Sequence, residues 1–263
     1  MKKLIAVAIF ALTFAALVCG LNYPVPAQAQ QMFLPLNYPT GLVGWWQLDG
    51  HGTATDVPPT SSTTVPDVTD NGYGGTFSGT CGGSSPYCYS ATNKVGPYSG
   101  SFDGSTNYVV TGLTSGLAPT SAGTITFWMY PTAFTNYSNP VSNGNVNSDK
   151  NGVNFYFTSA GAFSFEVCNA SSESRANAGI ISANNWYFAA GTWDGSHVVL
   201  YVNGATYSST QSNTVTPAYP LTIGDDGAQS LAGNHFKGDI ADVRVYSRAL
   251  SAGEIAQMYL AHN

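Results

Sequence analysis

The stretch FKGDIADVRVYSRALSAGEIAQMY, residues 236–259, decides the fold. Its first half alternates: Ala241, Val243 and Val245 point one way, and Asp242, Arg244 and Tyr246 the other, the period of a β-strand. Its second half is a short helix. Ser251 and Glu254 have the N-cap and N3 spacing of a capping box, and Leu250 and Ile255 sit where a hydrophobic staple clamps a helix start. Ile255, Met258 and Tyr259 then share one apolar helical face. A closing strand followed by a capped helix needs a sheet upstream to receive it.

The rest of the chain supplies one. Residues 42–49 (LVGWWQLD) form the first strand, with Trp46 and Leu48 on one face and Trp45, Gln47 and Asp49 on the other. In residues 123–130, Ile125, Phe127 and Met129 alternate with Thr126, Trp128 and Tyr130. Residues 154–158 and 162–168 flank a hairpin-length turn, and Asp194-Gly195 and Asn203-Gly204 are two-residue hairpin signals. One helix among many short strands predicts an all-β, two-sheet antiparallel sandwich or jelly roll.

Composition agrees. A chain of 263 residues is long enough for one large all-β domain. Only 8% of it is charged while 13% is aromatic, which suits a strand-rich extracellular protein and argues against disorder. Lys2 and Lys3 precede an apolar run over residues 4–18, the pattern of a secretory signal, with Ala27-Gln28-Ala29 as a cleavage site. Residues 1–29 are therefore read as a signal peptide, 30–40 as a Pro- and Gln-rich lead-in, and 41–263 as the folded domain. Lipid modification at Cys19 and an uncleaved anchor are the alternatives. Loss of Lys2 and Lys3 takes the formal charge from −6 to −8. Such an acidic chain is a poor partner for nucleic acid and lacks the polybasic patch of a membrane-surface binder. In an exported chain Cys81 and Cys88, six residues apart in a Gly/Ser/Pro-rich segment, read as a local disulfide, which leaves Cys168 as a packed thiol on a strand.

In this order the pieces resemble a laminin-G-like jelly roll of the concanavalin A-like superfamily. The residues that carry the resemblance are Trp45 to Asp49, then DVTDNGYGGT at 67–76, SFDG at 101–104 with Tyr108, and TITFWMYP at 124–131. They continue with the W…WDG…LYVNG pattern from Trp186 to Gly204 and with residues 236–254. The resemblance implies that the first and last strands are neighbours in one sheet. It also implies one structural Ca²⁺ at the rim, with Asp67, Asp70, Asn71, Asp103 and Asp242 as its candidate ligands, since calcium takes six to eight hard oxygens. Asp70 stands where the family has Gly, and Ala241 replaces the first Asp of I-D-D-V. Zinc is disfavoured: the four His have no ligand spacing and no Cys companions.

No catalytic residue is assigned. Glu166, Glu173 and Glu254 are the three Glu; the last is used by the helix cap, and the other two straddle a turn with no Asp between them. No nucleophile elbow is present. The reading is an exported, non-enzymatic binding module for a glycan, with Tyr87, Tyr89, Tyr98, Phe134 and Tyr137 as candidate ligand contacts. The competing readings are a structural or adhesive surface subunit working through protein contacts or self-association, and a polysaccharide hydrolase or lyase.

Overall fold

A computed structural model of the chain describes residues 39–50, 64–79, 88–114, 118–145, 150–209, 214–228 and 234–262. The signal segment, most of the lead-in, Tyr87 and Cys81 lie outside the described residues. From Pro39 onward the chain is one compact unit. Its strands, numbered in chain order, make two eight-stranded sheets. The first runs β14 (Ala205–Ser209), β13 (Val198–Val202), β12 (Tyr187–Trp193), β7 (Gly123–Ala133), β16 (Lys237–Tyr246), β5 (Ser99–Asp103) and β4 (Tyr89–Ser90), with β1 (Leu42–Trp46) also paired to β16. The second runs β11 (Glu173–Ile180), β10 (Ala162–Asn169), β9 (Asn151–Phe157), β8 (Ser138–Ser142), β15 (Thr222–Ile223), β6 (Tyr108–Thr111), β3 (Gly75–Ser78) and β2 (Thr64–Val65). All the strand pairs are antiparallel. This is the expected jelly-roll sandwich.

β16 organises the first sheet. One edge pairs with β7 along most of its length; the other meets β5 through 237–240 and β1 through 243–246. Trp46 is opposite Val243 and Trp45 opposite Arg244, so first and last strands are neighbours as the resemblance implies. β16 and β7 approach so closely at Gly238 (φ +141°) that a Cβ there would lie 2.1 Å from the Tyr130 carbonyl oxygen. Only glycine fits.

The alternation expected in β16 is corrected by a bulge. Ile240, Val243 and Val245 face the main core, whereas Ala241 joins Trp128 and Tyr246 on the opposite face. The register slips between Ala241 and Arg244, and Asp242 takes φ +58°. One extra residue in the bulge resets which side chains point inward.

Between the sheets lie Trp46, Phe127, Phe155, Phe157, Phe163, Phe165 and Trp193, all buried. A smaller core on the outer face of the first sheet is closed by α1 (Ala252–Leu260), which sets Leu250, Ile255 and Met258 against Trp128, Phe188 and Tyr246. Its N-terminus is the predicted capping box: Ser251 Oγ accepts from Glu254 N at 3.3 Å, and Ser251 N donates to Glu254 Oε2 at 2.9 Å. Ser251→Ala is expected to cost about 1 kcal/mol, read as a melting temperature lowered by about 2–4 °C.

Candidate functional site

Of the residues expected to hold calcium, Asp103 and Asp242 lie apart along β16, while Asp67 and Asp242 both bind Trp45. Asp103 pairs with Lys237 at one end of that strand, and Asp242 lies toward the other, near the Trp46–Val243 pair. Each carboxylate is engaged by donors of its own. Asp67 accepts from Trp45 N (3.0 Å), Thr69 N (3.0 Å), Thr69 Oγ1 (2.8 Å) and Tyr73 N (3.1 Å). Asn71 donates from Nδ2 to Val43 O at 2.8 Å, while Asp70 occupies a left-handed turn position (φ +61°) and is exposed. Asp103 takes the backbone N–H of Ser105 (2.8 Å) and Thr106 (2.9 Å) and both their hydroxyls.

Asp242, 3% exposed, accepts from Trp45 Nε1 at 2.7 Å and from Arg244 Nε at 3.0 Å, and its Oδ2 lies 2.8 Å from Arg244 Nη2. The Arg244 guanidinium stacks over the Trp45 ring at 4.6 Å. In the structure these carboxylates close turns and form a buried ion pair. Among the described residues no group of three or more His, Cys, Asp or Glu could hold a metal.

Of the predicted aromatic contacts, Tyr89 and Phe134 cover the core. Tyr89 meets Phe77 edge-on at 5.6 Å, and Phe134 lies 4.9 Å from Phe157. Burial pushes the Tyr89 hydroxyl up to about 12, with Asp49 adding to it. Tyr98 is half-buried just before β5. Cys88 is buried against the core, and Cys168 is a buried free thiol that burial, with Glu166 beside it, holds well above its ordinary pKa.

Tyr137 differs from the other aromatics. It stands in a left-handed turn between β7 and β8, 37% exposed, with its ring 5.9 Å from Tyr156. Tyr156 points to the outward face of the second sheet and is itself buried. In β9 and β10 the side chains of Phe155, Phe157, Phe163 and Phe165 enter the core, so Asn154, Tyr156, Ser164, Glu166 and Cys168 point the other way. These outward groups form a buried polar floor; Glu166 is 2% exposed.

β11 supplies the wall. Arg175, opposite Glu166, holds Nη2 3.2 Å from Glu173 Oε1 and 3.5 Å from Glu166 Oε1, with its guanidinium over the Tyr156 ring at 5.6 Å. Lys150 Nζ is 3.2 Å from Glu173 Oε2, and Asn177 Nδ2 donates to Ser164 Oγ at 3.0 Å. Burial raises the Glu166 pKa, outweighing the pull of Arg175. Glu173 is held low: slight burial works upward, but Lys150, Glu166 and Arg175 outweigh it. Arg175 thus bridges the two carboxyls across the β10–β11 hairpin.

Sequence reasoning singled out Tyr137 but not Tyr156, Ser164, Arg175 or Asn177. The usable signal was the alternation FYF and FSFEV on two paired strands, which leaves Tyr156, Ser164 and Glu166 outside the core.

The sequence model of a laminin-G-like family, described as the concanavalin A-like lectin/glucanases superfamily, matches residues 103–256, more than half of the chain. The chain belongs to this superfamily. Among curated proteins no match is found. Among solved structures, domain 4 of AbnA, a GH43 extracellular arabinanase from Geobacillus stearothermophilus, in complex with arabinotriose, is similar with a TM-score of 0.60. The identity is 17%, over 83% of this chain and 98% of that one. The botulinum neurotoxin DC binding domain in complex with rat synaptotagmin II has a TM-score of 0.57 at 13% identity, over 85% of this chain. A botulinum neurotoxin type C structure, reported for cell entry dependent on two ganglioside molecules, has a TM-score of 0.57 at 12% identity, again over 85% of this chain. This concanavalin A-like chain spans about half of each toxin chain, 52% and 51%. At these identities the likeness is one of fold.

Two outcomes follow from the carboxylates. Asp242→Ala strands Arg244 in the interior and is expected to lower stability by about 3–5 kcal/mol in denaturant unfolding. Asp103 is held at about 2: partial burial works upward, but the Thr106 and Ser105 donors prevail. Its folded pKa is below its unfolded one, so its contribution is complete above the unfolded value and lost as pH falls through about 2. Asp103→Asn should therefore lower the melting temperature at pH 7, with the difference from wild type vanishing toward pH 2.

Proposed function

We propose that the chain is an exported, non-catalytic glycan-binding module whose ligand lies across the outward face of β9–β11, beside Tyr137. One observation carries this reading: exposed Tyr137 and Arg175 stand over a polar floor of Tyr156, Ser164 and Glu166. An exposed aromatic ring covers the C–H patches of a sugar, while carboxyl, guanidinium and amide groups orient its hydroxyls. Arg175 and Lys150 already neutralise Glu173 and Glu166, so the face suits a neutral, hydroxyl-rich chain rather than a polyanion. The fold likeness to a domain determined with arabinotriose supports binding as the mode of action. Both carboxyls of this face, Glu166 and Glu173, are already engaged by Arg175, an arrangement suited to recognition. Export is supported by Lys2, Lys3 and the apolar run that follows them.

The test is binding of the full mature chain to a glycan array and to insoluble polysaccharides. Tyr137→Ala and Arg175→Ala are each expected to weaken binding by about tenfold or more, a loss of roughly 1.4 kcal/mol. Tyr98→Ala, before β5 in the other sheet, should leave binding unchanged, and no reducing sugar should be released. Absence of glycan binding together with self-association on size-exclusion chromatography would replace this reading with an assembly role.

A further inference from the structure

A second polar cluster lies at the corner where the chain passes from β15 to β16. After Ile223 it turns through Gly224, Asp225 and Asp226, and it returns through Asn234 and His235 into β16. The base of this excursion is fixed. Phe236 N donates to Gly224 O at 2.9 Å, Asn139 N donates to Asn234 O at 2.8 Å, and Asn139 forms a β-bridge with His235. Asp225 and Asp226 are 1% and 0% exposed. Asp226 Oδ2 accepts from Asn234 Nδ2 at 2.7 Å, and Asp225 Oδ1 accepts from Asp226 N at 2.8 Å.

Two atoms are left over. Asp225 Oδ2 and His235 Nδ1 are buried, and neither makes a hydrogen bond, although only 3.4 Å separates them. The imidazole is held in place by the Tyr108 ring stacked against it at 6.1 Å. A third buried atom without a hydrogen-bond partner, Asn139 Oδ1, belongs to the residue bridged to His235. Leaving such groups dry and unmatched is costly, and buried charges are generally paired or metal-bound. Two ligands of one tetrahedral ion, at bond lengths of about 2.0–2.2 Å, stand about 3.3–3.5 Å apart. The oxygen and nitrogen at this corner have that spacing without the alignment of a hydrogen bond.

We propose that Asp225 Oδ2 and His235 Nδ1 are adjacent ligands of a divalent-ion site of the zinc class at the β15–β16 corner. Imidazole nitrogen beside a carboxylate oxygen selects that class over calcium, which takes oxygen ligands. Asn139, bridged to His235, donates its amide Nδ2 to Tyr137 O, and water completes the shell. Asp225 is the companion that His spacing along the chain does not reveal, since nine residues lie between it and His235. Such an ion ties the turn after β15 to the start of β16 and is independent of the glycan-binding reading.

The experiment takes the full mature chain, strips it with EDTA, and follows thermal unfolding with Zn²⁺ or Ca²⁺ added singly. Zn²⁺ at roughly 100-fold excess over Kd should raise the melting temperature by about 5 °C or more, and Ca²⁺ should not. The rise should vanish in His235→Gln and Asp225→Asn and persist in His197→Ala, which removes the exposed His197–Asp194 pair. Visible absorption of added Co²⁺ gives a readout on the unmodified chain, so a variant that fails to fold does not end the test. No rise with Zn²⁺ and no Co²⁺ bands, an equal rise in His235→Gln, or an equal rise with Ca²⁺ would overturn the proposal.

Discussion

The fold depends on how one strand is satisfied on every side. β16 is hydrogen-bonded along both edges and buried on both faces, so every polar group it carries must find a partner inside the protein. The bulge at Asp242 is where this becomes acute. A carboxylate enters the interior there, and Arg244, two residues on, together with the Trp45 indole, supplies its charge partner and its donors. Trp45 is bound from two directions, its indole by Asp242 and its backbone N–H by Asp67. First strand, first turn and last strand are locked through that one residue. An uncompensated charge here would cost several kcal/mol, a large share of the net stability of a domain.

The second sheet shows the same alternation put to another use. Its inward phenylalanines build the core, and the intervening residues of β9 and β10 are forced outward as a polar layer. On the first sheet, the corresponding outward face is apolar and closed by α1. The two sheets are thus asymmetric: one outer face is sealed by a capped helix, and the other presents tyrosine, carboxyl, amide and guanidinium groups. That asymmetry, rather than any single motif, makes β9–β11 the proposed binding face.

Much of the fold was legible because it rests on local rules. Alternation in 123–130, the capping box at Ser251 and Glu254, and the staple at Leu250 and Ile255 each involve neighbours in sequence, and each appears as expected. The local partners of the expected metal ligands were not legible. Asp67 and Asp103 sit at turns where nearby N–H and hydroxyl groups saturate their carboxylates, so the same Asp-rich pattern serves turn closure as readily as coordination. The placement of Ala241 misled for a related reason. A bulge changes the parity of a strand without altering its composition, and its signature, Asp242 at positive φ, is a property of the backbone.

By itself the sequence determined the fold class, the helix cap and the alternation that carries the core aromatics. These follow from periodicity and spacing, which survive in one dimension. Only the tertiary structure decided which polar residues stand together: Tyr137 beside Tyr156, Arg175 against both Glu166 and Glu173, Asp225 facing His235. Antiparallel pairing brings together residues from different strands or turns, at separations set by hairpin length and strand order. Neither composition nor motif spacing encodes those juxtapositions.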